Sequence, residues 1–256
     1  MNLLVGSATL CQREMVRFFR QRSRIAGALG TPLVFWLLLG SGVGRSISLP
    51  SVSGTMNYIE YFFPGTVVMI LLFTSIFSTI SIIEDRREGF LQAVLVAPIP
   101  RSTIVLGKMA GSTALALVQG LLFMILAPLV VGVPFGALPL TVLFLALVAF
   151  GLTGLGYVIA WSLDSTQGFH AIMNLFLIPM WLLSGAVFPA SGAPAWLQWV
   201  IMANPLTYGV GVVRWSLYGG EAYAALGAPD PVVSTLVVIG FAAAMFGIAL
   251  RVTLKS

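Results

Sequence analysis

Long apolar runs, separated by short charged or proline-rich stretches, dominate the pattern along this chain. A helix needs about 20 mostly apolar residues to cross the hydrocarbon core of a bilayer. Six runs are near that length: 25–43, 61–83, 104–131, 138–163, 169–188 and 232–250. Backbone groups in lipid must be hydrogen-bonded within the protein, and no run alternates as barrel strands do. The pattern therefore predicts an all-α membrane protein with six transmembrane helices, forming one domain over 1–256.

Composition supports this prediction. Hydrophobic residues make up 59% of the chain and charged residues only 8%, whereas soluble domains carry about 25% charged residues. The formal net charge of +5 does not indicate nucleic acid as a partner, because excess Lys and Arg in a membrane protein mainly set its orientation. Cys11 is the only cysteine, so neither an internal disulfide nor a cysteine metal cluster is expected.

Residues 1–24 lack the apolar core of a secretory signal. Read as a helix, they place their arginines in one stripe and their apolar residues on another face. The stripe is Arg13, Arg17, Arg20 and Arg24, and the apolar face is Leu4, Ala8, Cys11, Met15 and Phe18. This pattern is typical of an amphipathic helix that lies in the membrane interface against anionic lipid. The alternative is a basic flank that only sets orientation.

The distribution of Lys and Arg predicts which side of the membrane each loop occupies. With the N-terminus inside, eleven of them are cytoplasmic: Arg13, Arg17, Arg20, Arg22, Arg24, Arg86, Arg87, Arg101, Lys108, Arg251 and Lys255. Only Arg45 and Arg214 are then outside. This bias follows the positive-inside rule and places both termini in the cytoplasm.

The densest charged stretch lies between the second and third runs. Its first part consists of five consecutive charged residues: Glu84, Asp85, Arg86, Arg87 and Glu88. A short half-apolar helix over 90–96 follows, and Pro98 and Pro100 end it. We interpret 84–103 as a cytoplasmic hairpin that docks a soluble partner.

The region 189–230 is too interrupted for a seventh span and too apolar for a solvated loop. It is rich in Trp and Tyr, which favour membrane interfaces. We expect two short re-entrant helices, over 195–202 and 205–218. The region is either an external cap with an aromatic belt or an exit gate for a substrate.

Three smaller features have local interpretations. Asp164, in the short link between the fourth and fifth runs, is expected to cap the following helix. His170, the only histidine, is expected to make a polar contact between helices. Close helix packing is predicted by three glycines in the fourth run: Gly151, Gly154 and Gly156.

The motifs of nucleotide binding and catalysis are missing from the sequence. Gly107-Lys108 is followed by Met109 and lacks the upstream glycine of a Walker A loop. No metalloprotease or serine-hydrolase motif occurs. The sequence therefore indicates a helical membrane protein that depends on another protein for its energy. A stand-alone secondary carrier or membrane enzyme would need a polar path through Asp164, His170 and Asn174. A third possibility is a membrane subunit that anchors or regulates a partner without transporting.

Two segments resemble the type-2 ABC exporter permeases, a family that includes daunorubicin-resistance, nodulation-factor and polysaccharide export permeases. The first comprises 84–91, 97–101 and 104–108; Phe90 and Gln92 depart from the usual threonine and acid. The second comprises 183–189, Pro194, 196–198, 204–208 and Arg214. Together with the six runs, the resemblance covers the whole chain.

The resemblance implies a non-catalytic subunit that exports a drug, lipid or lipid-linked glycan across the bacterial inner membrane. It implies a second permease chain, as a homodimer, and two ATP-binding subunits that hold ATP and Mg²⁺, with no cofactor on this chain. The implied ATPase-docking residues are Glu84, Asp85, Arg86, Arg87, Glu88, Leu91 and Arg101, beside Arg13, Arg17 and Arg20 of the interfacial helix. The implied exit residues are Trp196, Tyr208 and Arg214.

Overall fold

A computed structural model describes residues 3–20, 22–43, 49–51, 54–130, 132, 138–190, 193–219 and 228–255. Arg45, the segment 220–227 and the side chains of Arg22 and Arg24 lie outside the described residues. The helices are α1 (Leu3–Arg20), α2 (Arg22–Val43), α3 (Tyr58–Ser78), α4 (Ile80–Arg87), α5 (Phe90–Val96), α6 (Arg101–Met124), α7 (Ala127–Val130), α8 (Leu138–Ser162), α9 (Thr166–Trp181), α10 (Ala195–Ala203), α11 (Pro205–Tyr218) and α12 (Pro231–Leu254). A π-helical turn, Leu182–Ala186, continues α9.

Among the residues that the structure describes, five helical segments are long and apolar enough to cross a membrane: Tyr58–Arg87, Arg101–Leu129, Leu138–Ser162, Thr166–Ala186 and Pro231–Leu254. The first of these runs through α3 and α4, and the second through α6 and α7. A shorter apolar stretch, Pro32–Gly42, lies within α2. The chain is therefore a multi-pass helical membrane protein of about six helices, as the sequence predicted.

Several shorter elements also match the sequence predictions. The hairpin helix is α5, and the two short helices of the region 189–230 are α10 and α11. A small antiparallel hairpin, β1 (Leu49–Ser51) with β2 (Gly54–Met56), was not predicted. The capping prediction for Asp164 is wrong, because the Ser165 side chain accepts from the Gly168 N–H at 3.2 Å.

Helix α3 is the centre of the bundle. In the apolar part of Tyr58–Arg87, 89% of residues are buried, against 33% for Thr166–Ala186 and 22% for Pro231–Leu254. Helix α3 packs against α2, α6, α8 and α11. The helices α9 and α12 consequently present broad apolar faces to the outside of this chain.

Close helix approach depends on glycines, as predicted for α8. A methyl group at Gly151 would lie 2.8 Å from the Phe241 ring of α12, and one at Gly156 would lie 3.0 Å from Ile76 Cα of α3. The same device joins α1 to α6, where a methyl group at Gly107 would lie 2.7 Å from Leu10 Cβ. Small residues let helix backbones come this close.

Replacing Gly107 with alanine is expected to push α1 away from α6. Overpacking of this kind costs about 1–3 kcal/mol, so Gly107→Ala should lower the free energy of unfolding in mild detergent and speed proteolysis within α1. Gly240→Ala is the matched control, because nothing lies within 4 Å of a methyl group there. If the two variants have equal stability, close packing at Gly107 does not hold α1 in place.

Candidate functional site

Helix α1 lies along α6 and buries one narrow face. Leu10, Glu14 and Phe18 follow each other at intervals of four residues on this face, and all three are buried. Gly107 and Gly111 of α6 provide the space for Leu10 and Glu14. A glutamate on a buried face needs a positive partner at short distance.

Lys108 of α6 supplies that partner and connects it to a second buried carboxylate. Its Nζ lies 2.5 Å from Glu14 Oε1 and 3.3 Å from Ser81 Oγ, and it also forms an ion pair with Asp85 of α4. Lys108 is 3% exposed and Asp85 is 0% exposed. Three helices therefore meet around one buried lysine.

Two arginines of α1 also bind the Asp85 carboxylate. Arg13 donates from both terminal nitrogens, Nη2 to Oδ1 at 2.7 Å and Nη1 to Oδ2 at 2.9 Å. Arg17 Nη1 donates to Oδ1 at 2.8 Å. We call Arg13, Glu14, Arg17, Asp85 and Lys108 the charged network. Hydrogen bonding to Asp85, together with attraction to Asp85, Glu14 and Glu88, raises the pKa of the Arg13 guanidinium.

The charged network also reaches the hairpin helix α5. The Arg13 guanidinium lies 3.7 Å from the centroid of the Phe90 ring, a favourable cation–π arrangement. Arg17 Nη2 lies 2.9 Å from Glu84 Oε2 and 3.4 Å from Glu88 Oε1. The N-terminal helix and the charged hairpin are thus joined into one unit with α6.

The arginines of the hairpin itself bond to the ends of other helices. Arg86 donates to the Trp161 carbonyl at 2.7 Å and to Asp164 Oδ1 at 2.8 Å, at the C-terminus of α8. Arg87 Nη2 donates to the Asp164 carbonyl at 2.8 Å. Cations that bond the last carbonyls of a helix also complement its dipole. Asp164 pairs with Arg86 instead of capping α9.

Arg101 has the same role at α12. Its Nη1 donates to the carbonyls of Thr253 at 2.9 Å and Leu254 at 3.1 Å. The docking role predicted for Arg86, Arg87 and Arg101 stays a prediction, and the structure adds a local role in closing helix ends. Each helix end needs hydrogen-bond donors, and this need can be predicted from the sequence. The arginines that supply the donors are about 75 to 150 residues away along the chain, so the pairing cannot.

The outer surface of the hairpin includes Arg87 and several further residues. Asp85 and Leu91 are buried, and the docking role predicted for them stays a prediction. Glu88 is exposed at 59% of its side chain, and Gln92, Ala93 and Val96 are exposed on α5. The apolar Val96 side chain is 84% exposed, and sequence reasoning missed it.

On α1, the predicted arginine stripe divides into two parts. Arg13 and Arg17 turn towards the hairpin carboxylates, and Arg20 is exposed. Leu4, Val5 and Val16 are exposed on the outer side of the helix. This outward apolar surface is what an interfacial helix requires. Burial and the nearby Glu14 carboxylate raise the pKa of the Cys11 thiol.

At the opposite end of the molecule, α9 breaks at the π-helical turn, where Gly185 has a φ of +73°. The carbonyls freed by the break are bonded by side chains. Asn204 Nδ2 donates to Met180 at 2.6 Å and Leu183 at 3.0 Å, and the Tyr61 hydroxyl donates to Gly185 at 2.8 Å. Irregular backbone at membrane depth requires such partners.

The three predicted exit residues differ in their burial and in what they contact. Arg214 is buried and donates to the Gly185 carbonyl at 3.2 Å. The Tyr208 hydroxyl donates to the Met202 carbonyl at 2.9 Å, and Trp196 is 68% exposed. An external cap and an exit gate both fit this arrangement.

A cavity of about 610 Å³ opens on the side of the bundle between α2, α3 and α9. Its walls are mostly apolar and aromatic, including Phe35, Phe73, Phe77 and Trp181, with His170 and Asn174 as polar points. The His170 ring lies 5.1 Å from the Phe77 ring, so α9 meets α3 there through an aromatic contact. The polar contact predicted for His170 stays a prediction.

These features define a multi-pass membrane protein with a charged, hairpin-bearing end. The family described as ABC-2 type transporter matches residues 7–218, and the chain belongs to this family. It is 28% identical to a putative transport permease, ycf38, of Cyanophora paradoxa over 84% of this chain and 74% of the relative. It is 28% identical to nodulation protein J of Rhizobium meliloti over 74% and 72%. It is 30% identical to a probable multidrug ABC transporter permease, YbhR, of Escherichia coli over 60% and 42%.

Removing one member of the charged network should leave the others buried without compensation. Asp85→Asn and Lys108→Met are each expected to lower the free energy of unfolding by about 3–5 kcal/mol. The double variant should lose less than the sum, since the partners act together. Chemical unfolding of the purified chain in bicelles measures both effects.

Glu88→Gln is the control for these variants, because its carboxylate is mostly exposed and pairs with Arg17 only at 3.4 Å. An exposed pair contributes about 0–1 kcal/mol. A loss at Glu88 as large as that at Asp85 would contradict the assignment of the buried network as the stabilising element.

The raised pKa of Cys11 predicts slow alkylation at neutral pH, because the thiolate is the reactive form. The rate should rise with a midpoint above that of a cysteine in an unstructured peptide. Mass spectrometry of the intact chain after timed maleimide exposure measures this, with the detergent-denatured chain as the reference. Equal midpoints in both samples would show that Cys11 is not shielded by α1 packing.

Proposed function

We propose that this chain is the permease subunit of an ATP-driven exporter, and that a separate ATP-binding subunit docks on the exposed side of α5. The charged network carries this proposal, because it joins the hairpin to α1 and α6 through buried ion pairs. ATP and Mg²⁺ belong to the partner subunit, and no cofactor is assigned to this chain. Membrane lipids around α1 are further partners, and nucleic acid is not.

The hairpin is well connected for transmitting force. It continues α3 through α4, and α3 is the central helix of the bundle. Arg86 and Asp164 link it to the connection between α8 and α9, and Arg101 links the start of α6 to α12. A displacement of α5 would therefore reach the cavity between α3 and α9.

The substrate proposed for this cavity is hydrophobic or amphipathic: a drug, a lipid or a lipid-linked glycan. Its apolar and aromatic lining suits an apolar chain or ring system, and His170 and Asn174 offer hydrogen bonds to a polar part. Leu175 and Phe176 are exposed on α9. We infer that these side chains face a second permease chain in a homodimer, with two ATP-binding subunits below it.

We infer that the end with the charged network lies in the cytoplasm, with both termini, and that α10 and α11 lie outside. The positive-inside rule supports this orientation. The bacterial inner membrane is the proposed location, and two bacterial relatives are named as a nodulation protein and a probable multidrug permease.

Val96→Asp is expected to weaken association with the ATP-binding subunit, because it places a charge on an exposed apolar contact without disturbing the fold. Co-purification after expression with the ATP-binding protein encoded nearest to this chain measures the effect, and nucleotide-driven substrate movement in proteoliposomes should fall about tenfold or more. Val232→Asp is the control, since Val232 is 66% exposed at the far end of α12.

Unchanged association in Val96→Asp would place the docking surface elsewhere. Transport driven by a pH gradient without nucleotide would favour the stand-alone carrier instead. Binding to the ATP-binding subunit without any nucleotide-dependent movement would indicate a regulatory membrane subunit.

A further inference from the structure

Arg214 of α11 is a buried cation at the end of the molecule opposite the charged network. Only 4% of its surface is exposed, and a guanidinium stays protonated in proteins. It lies 4.3 Å from the centroid of the Tyr61 ring. Its Nη2 donates to the carbonyls of Gly185 at 3.2 Å and Tyr61 at 3.3 Å. Both acceptors are neutral, so they satisfy donors without balancing the charge.

Among the described residues, Arg214 forms no ion pair with a carboxylate, and its Nε is buried without a hydrogen-bond partner. Buried charges are normally paired, because an unpaired ion loses its hydration without compensation. Lys108 and Asp85 follow this rule at the other end. Arg214 departs from it, and it borders a small space.

That space is a cleft of about 20 Å³. Arg214 forms part of its wall together with Tyr61, Ser184, Gly185, Thr207 and Gly211. The two hydroxyls donate elsewhere, Ser184 to the Trp181 carbonyl and Thr207 to the Ile201 carbonyl, both at 2.6 Å. A cleft of this size holds about one water-sized particle.

We propose that this cleft is an anion-binding site, which accepts one small anionic atom: a chloride ion, or a single oxygen of a phosphate group that is dissolved or part of a lipid headgroup. Charge-assisted hydrogen bonds from a guanidinium are the strongest that the chain offers to such a ligand. A bound anion would hold α11 against the π-helical turn and the start of α3. The site follows from local geometry and does not depend on the direction of transport.

The melting temperature of the purified full chain in neutral detergent tests this site. Chloride, inorganic phosphate and short-chain phosphatidylglycerol are titrated separately, with ionic strength held by a bulky sulfonate salt. A ligand that binds the folded state should raise the melting temperature by roughly 5 °C near saturation. A response to chloride or phosphate identifies dissolved anions as the source, and a response to phosphatidylglycerol alone identifies a lipid headgroup. If none of the three ligands raises the melting temperature, the proposal is overturned, whatever the variants show.

Variants locate the response. Arg214→Gln keeps hydrogen-bond donors for the Gly185 carbonyl but removes the charge, so the anion response should be lost. Arg214→Lys keeps the charge and should retain a weaker response. A full response in Arg214→Gln would place the anion elsewhere and overturn the assignment.

Glu221 belongs to the segment 220–227, outside the described residues, and Glu221→Gln checks whether its carboxylate already balances Arg214. An unchanged anion response in this variant supports the open cleft. A response that appears only when Glu221 is neutralised would overturn the proposal for the natural chain.

Discussion

Asp85 has no exposed surface, and the charges that balance it come from two other helices. Arg13 and Arg17 approach from α1, and Lys108 approaches from α6, where it also holds Glu14. None of these groups can move far without leaving a bare charge in a nearly apolar protein. The relative positions of α1, α4 and α6 depend on this balance, and the orientation of the hairpin depends on them in turn.

The same constraint explains the other polar contacts. Helix ends and helix breaks leave backbone carbonyls without hydrogen-bond donors, and lipid tails cannot supply these donors. Arg86, Arg87 and Arg101 bond such carbonyls at one end of the bundle, and Tyr61, Asn204 and Arg214 do so at the π-helical turn. Many of the polar side chains inside the bundle therefore bond a backbone carbonyl or a charged group.

Periodicity and proline positions predicted most of the fold, because helix formation in lipid depends on local composition. The boundaries of α5, α10 and α11 followed from Pro98, Pro194 and Pro205. Pairings between distant residues were not predictable in this way. The arginine stripe of α1 was recognised, but its division between Asp85 and the exposed side depends on how α1 lies on α6. Asp164 was misread because Ser165, one residue later, has the geometry of a cap, and the ion pair with Arg86 spans 78 residues.

The buried and the exposed residues of the hairpin make different contacts, and this difference has a consequence for evolution. Its inward residues hold helix ends and buried charges, so substitutions there disturb the whole bundle. Gln92, Ala93 and Val96 point outward and have no such duty. In a duplicated copy of this protein, these exposed positions of α5 can therefore change without disturbing the buried charges or the helix ends.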